Sequence, residues 1–466
     1  MTAPPARPPA PEAPWPRDPV RSRWRPGHWR ARAPVRERPA FRRGPGGGIV
    51  VRMATRAPEH GEPSAEPVLV TVDDVRAARE RIAGVLRPTP VGLSDTLSRL
   101  AGRQILLKPE HLQRTGSFKI RGAYNRISRL EPGTQVVAGS AGNHAQGVAL
   151  AATLTGHEAT IFMPSNAPLP KVDATAAYGA KVELGGESVD DSIQAAKRFA
   201  SEQGAVFVPP FDDPLIIAGQ GTIGLELLDQ APEIETVVVS IGGGGLISGI
   251  ASTLAALRPD VRVIGVEPEG AACMRASLLA GECVGLERVV TMADGVALKS
   301  PSPLTLAHVR AYVDDLVTVT EEEISQALLL LLERAKAVVE PAGAATLAAI
   351  IAAKVPGSGP VAAVLSGGNV DPLLLIKVID HGLSAAGRFV VLRVILEDRP
   401  GALAGLTTDV ARLGLNVLEV EHHRSGMDLD MEQVEVRLTL ETRNAIHSDE
   451  VIADLRRRGY TVELSS

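Results

Sequence analysis

An α/β protein built on parallel sheets, followed by a smaller βαββαβ module, is the architecture this sequence predicts. Short β-branched runs alternate with Ala/Leu-rich stretches of helical length, which is βαβ punctuation. The composition agrees: 45% of residues are hydrophobic but only 3% aromatic, as expected where many small helices cover a buried sheet. Beyond a Ser/Gly break at 384–387 the rhythm changes to half-exposed alternating strands. With 466 residues the chain is long enough for two or three domains.

Residues 1–64 are read as a disordered Pro/Arg-rich extension. Positions 1–52 hold 12 Arg against Glu12, Asp18 and Glu37, so the rest of the chain carries −14 of a total of −5. They also hold 12 prolines and all three tryptophans, a composition that cannot build a core. An arginine-rich arm for nucleic acid, a transit peptide, or a translation start nearer Met53 are the readings open here, with an inert or artefactual tail preferred and no nucleic-acid partner expected.

The first ordered domain is placed at 65–385. Thr71-Val72-Asp73-Asp74 caps a helix carrying Val75, Ile82 and Val85, which Arg87-Pro88-Thr89-Pro90 is expected to stop. Seven strands follow, at 135–138, 159–163, 206–208, 236–241, 261–266, 316–319 and 361–365, and functional loops belong at their C-terminal ends. The last domain, 388–466, reads as strand 389–396, turn 398–401, helix 402–413 closed by Gly414, strands 415–421 and 431–442, helix 448–458 and strand 460–464. Cys273 and Cys283 make no disulfide framework, and the longest apolar run, Ala327–Leu332, is too short for a membrane span, so a cytoplasmic protein without a membrane partner is expected.

Four stretches carry the chemistry. Arg114-Thr115-Gly116-Ser117-Phe118-Lys119-Ile120-Arg121-Gly122-Ala123 places a lysine among apolar and small residues, where desolvation lowers its pKa and turns it into an amine able to form a Schiff base. Taken alone, a lysine whose stem lines the core and whose head reaches water is the alternative. Ser140-Ala141-Gly142-Asn143-His144-Ala145-Gln146-Gly147 follows a strand and opens a helix, offering N–H groups to a carboxylate; a plain capped turn is the bland reading, and His144 alone would be structural. Gly242-Gly243-Gly244-Gly245-Leu246, before a helix expected near Ile247, suits a phosphate but lacks the Lys-Ser/Thr of a triphosphate loop. Ser366-Gly367-Gly368-Asn369 adds one hydroxyl at a strand end.

Together these motifs resemble the fold-type II pyridoxal-phosphate enzymes (tryptophan synthase beta-like, with two open parallel-sheet lobes), and among them the threonine dehydratases, or threonine ammonia-lyases, over residues 68–383. Asp398-Arg399-Pro400-Gly401-Ala402-Leu403 with Asn416 resembles an ACT regulatory domain. The resemblance implies pyridoxal 5′-phosphate as cofactor and conversion of L-threonine to 2-oxobutanoate and ammonia, a first step toward isoleucine, with L-serine as a second substrate. Lys119 would hold the cofactor and shuttle the α-proton, Phe118 would pack beside it, Asn143 would meet its 3-hydroxyl, and Ser366 would face its ring nitrogen. Gly242, Gly243, Gly244, Gly245 and Leu246 would bind its phosphate, and Ser140, Gly142, Asn143 and His144 the substrate carboxylate. Asp398, Pro400, Gly401, Ala402, Leu403 and Asn416 would bind a branched-chain amino-acid effector where modules pair in a homo-oligomer, dimer or tetramer.

Departures narrow the reading. Serine racemases place a second serine where Ala141 stands, and their divalent-metal site is matched by Glu267 and Ala271 but broken by Cys273, so no metal is expected. A serine dehydratase or racemase, and a ligand-sensing regulatory protein with a dead upstream domain, are the alternatives.

Overall fold

The computed structural model describes residues 67–385, 387–424, 429–430 and 432–465. The readings of the extension and of Met53 lie outside the described residues.

Helix α1 (Val72–Ile82) begins as expected: the Thr71 hydroxyl accepts the Asp74 N–H while the Asp74 carboxylate accepts the Thr71 N–H. It ends at Ile82, well before Arg87-Pro88, because the chain turns at Gly84 with φ +80°, so Val85 lies beyond the helix. There follow β1 (Gly92–Leu93), α2 (Asp95–Ala101), β2 (Ile105–Lys108), α3 (Lys119–Ile127), β3 (Val136–Gly139), α4 (Asn143–Thr155), β4 (Ala159–Met163), α5 (Leu169–Ala177), β5 (Lys181–Leu184), α6 (Val189–Gln203) and β6 (Val206–Phe207). The chain then runs through α7 (Pro214–Gln230), β7 (Thr236–Ser240), α8 (Gly245–Leu257), β8 (Arg262–Pro268), α9 (Cys273–Ala280), α10 (Pro303–Tyr312), β9 (Asp315–Val319), α11 (Glu321–Leu330), α12 (Pro341–Ile351), β10 (Val361–Val364) and α13 (Pro372–Ala385).

Two sheets result. One runs β1-β2-β10-β7-β8-β9, parallel throughout except for the β1/β2 pair; the other, β5-β4-β3-β6, is wholly parallel. All seven expected strands form, with ends moved by at most two residues. Three further strands were not expected. β1 is only a two-residue bridge, β2 ends in a buried lysine, and β5 is an edge strand whose Lys-Val-Glu-Leu sequence is exposed at both ends. Among the described residues no helix is long and apolar enough to cross a membrane.

The ionic core beneath α3 has no counterpart in the periodicity of the sequence. Arg121, fully buried, holds the Glu110 carboxylate at 2.7 and 2.8 Å and that of Glu226 at 2.6 and 3.0 Å. Lys108, equally buried, donates to Glu226 at 2.5 Å and to the Thr89 carbonyl at 2.7 Å. Two cations thus balance two anions. Burial alone would raise the Glu110 carboxyl, but the Arg121 guanidinium, Lys108 and the Thr89 hydroxyl together outweigh it and keep it below the ordinary range.

The C-terminal module comprises β11 (Phe389–Glu397), α14 (Ala402–Arg412), β12 (Val417–His423), β13 (Gln433–Glu441), α15 (Ala445–Arg457) and β14 (Thr461–Leu464). Its antiparallel order, β12-β13-β11-β14, is the ferredoxin-like arrangement that βαββαβ requires. Alternate residues of the central strands, such as Leu392, Val394, Val436 and Leu438, form a core with Leu406, Val410 and Leu455 of the helices. Helix α15 starts at Ala445 rather than Ser448, because the Asn444 side chain accepts the His447 N–H and makes the cap; Ser448 is buried within the first turn. β12 begins two residues later than expected and carries an irregularity between Val417 and Glu419.

Removing Arg121 leaves two buried carboxylates, Glu110 and Glu226, with Lys108 as the one cation of the cluster. Arg121→Met should therefore lower stability by about 3–5 kcal/mol, read as a fall in the urea midpoint; an unchanged midpoint would mean the cluster does not hold α3 in place.

Candidate active site

Lys119 is the first residue of α3 and follows a backbone kink, with Thr115 at φ +64° and Gly116 at φ +70°. The kinked segment is stitched to the loop after β10: Ser117 bridges Gly367, the Phe118 N–H donates to the Ser366 carbonyl at 3.1 Å, and the Gly368 N–H donates to Gly116 at 2.9 Å. Two motifs far apart in the chain are thereby locked together. Lys119 Nζ donates to the Pro210 carbonyl at 2.9 Å and lies 5.3 Å from the centre of the Phe118 ring. Burial pushes its pKa down to about 8, against the opposing pull of the Glu340 carboxylate.

At the end of β3, Gly142 precedes α4 without a side-chain cap, and its N–H donates to Ser140 Oγ at 3.2 Å. Asn143 sends Nδ2 to both oxygens of Glu340, at 2.8 and 2.9 Å, and its Oδ1 accepts from Asn369 at 2.8 Å. His144 places Nε2 2.9 Å from the Val208 carbonyl; burial and the nearby Lys119 depress its pKa to about 3, so the imidazole is neutral and Nε2 carries its hydrogen.

After β7 the glycine run turns into α8, which starts at Gly245, two residues earlier than expected. Gly244 is in the left-handed region at φ +91°, and a Cβ on Gly243 would overlap the Phe211 ring. Four residues without side chains thus leave the backbone N–H groups and the positive end of a 13-residue helix open to an anion. The hydroxyl of Ser366, nearly buried at the end of β10, accepts from Ser240 Oγ at 3.5 Å.

One cavity of about 480 Å³ gathers these groups: Phe118, Lys119, Ser140, Gly142, Asn143, His144, the glycine run, Leu246 and Ser366 all line it. Ala141 lines it too. Sequence reasoning missed Ser240, Glu340, Lys171 and Asp294 in the same wall and gave Asn369 no role. Lys171 and Asp294 form a 2.6 Å ion pair. Of these, only Glu340 had a visible cue, an acid directly before a Pro-Ala-Gly helix start, and helix starts commonly look so.

The expected effector residues lie elsewhere. Asp398, Pro400, Gly401, Ala402 and Leu403 occupy the turn from β11 into α14, with Gly401 capping at φ +91°, and Asn416 precedes β12. Asp398 faces Arg424 at 3.4 Å and Asn416 donates to Glu441 at 3.3 Å. Among the described residues no group of three or more His, Cys, Asp or Glu side chains is placed to hold a metal. Glu267 instead accepts the Met274 and Arg275 N–H groups at the start of α9, and burial pushes the Cys273 thiol up to about 12.

The family described as "Pyridoxal-phosphate dependent enzyme" matches residues 82–367, and the ACT domain family matches 390–459. An L-threonine ammonia-lyase of Thermotoga maritima is 46% identical over 399 residues, 85% of this chain and 100% of the relative. One of Geobacter sulfurreducens is 45% identical over 84% of this chain and 98% of its own. Among solved structures, a threonine deaminase of T.th. superposes with a TM-score of 0.62 at 44% identity, covering 65% of this chain and 99% of that one. Serine racemase of Dictyostelium discoideum gives 0.61 at 36% identity over 65% and 99%.

The depressed Lys119 pKa is measurable directly. Amine labelling of the cofactor-free protein, mapped to the Lys119 peptide, should rise with pH around a midpoint near 8, because only the neutral amine reacts; an ordinary midpoint of about 10.4 would remove the basis for its reactivity.

Proposed function

We infer that this chain, which belongs to the pyridoxal-phosphate-dependent enzyme family and carries a C-terminal ACT domain, is a threonine ammonia-lyase converting L-threonine to 2-oxobutanoate and ammonia. The observation that carries it is the convergence in one cavity of a desolvated lysine, an open glycine run at a helix start and a buried hydroxyl. That donor set fits pyridoxal phosphate: an amine for its aldehyde, unencumbered N–H groups for its phosphate, the Phe118 ring beside it, and a small hydroxyl for its ring nitrogen.

When bound, the cofactor supplies a conjugated ring that takes up the electron pair left when the α-proton departs. The protein's own groups divide the remaining work. Lys119 Nζ would bind the aldehyde and, once the substrate's own amine has displaced it, would take the α-proton, a task suited to an amine with pKa about 8. Gly242, Gly243, Gly244, Gly245 and Leu246 anchor the phosphate, while Ser140, Gly142, Asn143 and His144 orient the substrate carboxylate through the start of α4. His144 stays uncharged near neutral pH, with its Nε2 hydrogen held by the Val208 carbonyl, so its contribution is positional. Ser366, a hydroxyl, does not hold the ring nitrogen protonated as a carboxylate would. A hydroxyl in this position would therefore favour prompt loss of the β-hydroxyl. Ala141 offers no proton on its side of the cavity, which supports elimination over racemisation. L-Serine differs from L-threonine by one methyl group, worth about 1–3 kcal/mol of discrimination in such a pocket, and is expected to react as well.

In this reading residues 65–385 form the catalytic domain and 388–466 the regulatory one. The turn Asp398–Leu403 and Asn416 would receive a branched-chain amino acid where modules of a homo-oligomer meet. The paired ACT surfaces are favoured by the edge strand β12, whose Leu418 and Val420 are exposed. The chain acts in the cytoplasm, without nucleic acid or membrane as partner.

Lys119→Ala should abolish turnover and the borohydride-reducible visible band of the holoenzyme; a variant with full activity would overturn the assignment. The wild-type protein should form 2-oxobutanoate from L-threonine and pyruvate from L-serine, insensitive to a chelator, with the threonine rate changed by isoleucine or valine. A rate indifferent to both amino acids would leave the ACT module a structural one.

A further inference from the structure

A side-chain amide can turn either end toward a ligand, and its neighbours decide which. Asn143 is constrained from two sides. Glu340, 4% exposed, meets Nδ2 with both oxygens at 2.8 and 2.9 Å, and in either protonation state at least one of those oxygens accepts. On the other side Asn369 Nδ2 donates to Asn143 Oδ1 at 2.8 Å. The orientation of Asn369 is itself fixed, since the same Nδ2 lies 2.6 Å from the Thr115 carbonyl, an acceptor that has no alternative role, and 3.3 Å from Gln146 Oε1. Turning Asn143 over would set two NH₂ groups against each other and its carbonyl against a carboxylate.

From this arrangement we propose that Glu340 and Asn369 are a positioning pair that locks Asn143 with its N–H edge available to the cavity, and ties that edge to the segment bearing Lys119. The inference rests on the reading of Asn143 as the residue that meets the cofactor's ring hydroxyl. Nδ2 has two hydrogens; the two Glu340 oxygens can share one of them, which would leave the other to serve the ring oxygen. Space around the pair is closed: a Cβ on Gly367 would overlap Glu340 Oε1, and one on Gly116 would overlap the Asn369 amide. The charged groups facing Glu340 come from three elements. Burial pushes its carboxyl up to about 7 and Asp294 adds to that, while the Asn143 hydrogen bonds, Lys171 and Lys119 draw it back. Thr115 lies four residues before Lys119, so the relay joins the base to Asn143 through Asn369 as one unit.

The test uses holoenzyme without substrate and reads two properties of the bound cofactor, the position of its visible band and the pH midpoint of that band's titration, alongside a thermal melt to establish folding. Asn143→Ala removes the N–H and should move the midpoint by about one pH unit. Asn369→Asp replaces the donor by an acceptor facing Asn143 Oδ1, which turns the amide over, and should move it in the same direction by a similar amount. Glu340→Gln is isosteric and keeps one acceptor but also removes the negative charge that raises Lys119, so the position of its band, more than its midpoint, reads the loss of the lock. If Asn369→Asp and Glu340→Gln fold, bind the cofactor and keep the wild-type band and midpoint while Asn143→Ala moves them, the positioning pair is overturned. An unchanged band in Asn143→Ala itself overturns the reading of Asn143 on which the pair depends.

Discussion

Lys119 can face the cavity at all because Arg121, two residues further along α3, is clamped behind it. Successive residues of a helix point about 100° apart, so positions two apart diverge toward opposite faces. One enters the cavity; the other enters the protein, where Glu110 and Glu226 grip all the nitrogens of its guanidinium. Lys108 and Thr89 complete the cluster, which ties β2, the segment after it, α3 and α7 to one point. A buried ionic group of this kind adds little to stability compared with apolar packing of the same volume. What it supplies is orientation, because guanidinium and carboxylate forks fit in few ways. The α3 helix has nine residues, too few for its own hydrogen bonds to fix its direction.

Desolvation sets the chemistry in front of that clamp, and it acts on each group toward neutrality. It lowers Lys119 to about 8 and His144 to about 3, and it raises Glu340 to about 7. The same burial therefore yields an amine ready to react, an imidazole with no charge to offer, and a carboxyl balanced near neutral pH by its neighbours. Opposite them the glycine run and the start of α8 provide a fixed positive potential made of backbone, which no pH change removes. The cavity has a titrating end and an end that does not titrate.

How much of this was visible in the sequence follows the same division. Backbone-built parts were legible: a run of four glycines after a strand, and small residues before a helix, say directly that the main chain must come close to something. Lys119 was legible because a lysine among apolar neighbours is costly. The alternation of strands and helices was legible at β7 and β10, buried on both faces, and failed at β2, which is buried but ends in a lysine, and at β5, whose charged alternation is what an exposed edge looks like. Partners that work by pairing were not legible. Glu340 and Asn143 are 197 residues apart, and Lys108 and Glu226 are 118 apart. Nothing local marks either acid as buried; only the fold brings it to its partner.

Pairing also joins the C-terminal module to the catalytic domain. Arg388, at its entrance, meets Glu333 at 3.2 Å, and Glu333 lies in a five-residue π-helical turn, Leu331–Ala335, that continues α11. From there the chain passes Lys336, at φ +58°, and reaches Glu340 seven residues beyond Glu333. A π turn followed by a left-handed residue often marks a functional segment, and here Leu331 ties that segment into the core packed on the sheet. If an effector shifts the module, the residue to which that route leads is neither Lys119 nor the glycine run. It is Glu340, the carboxylate that holds Asn143, so control exerted there would alter how the cofactor is held and leave the groups that bind its phosphate where they are.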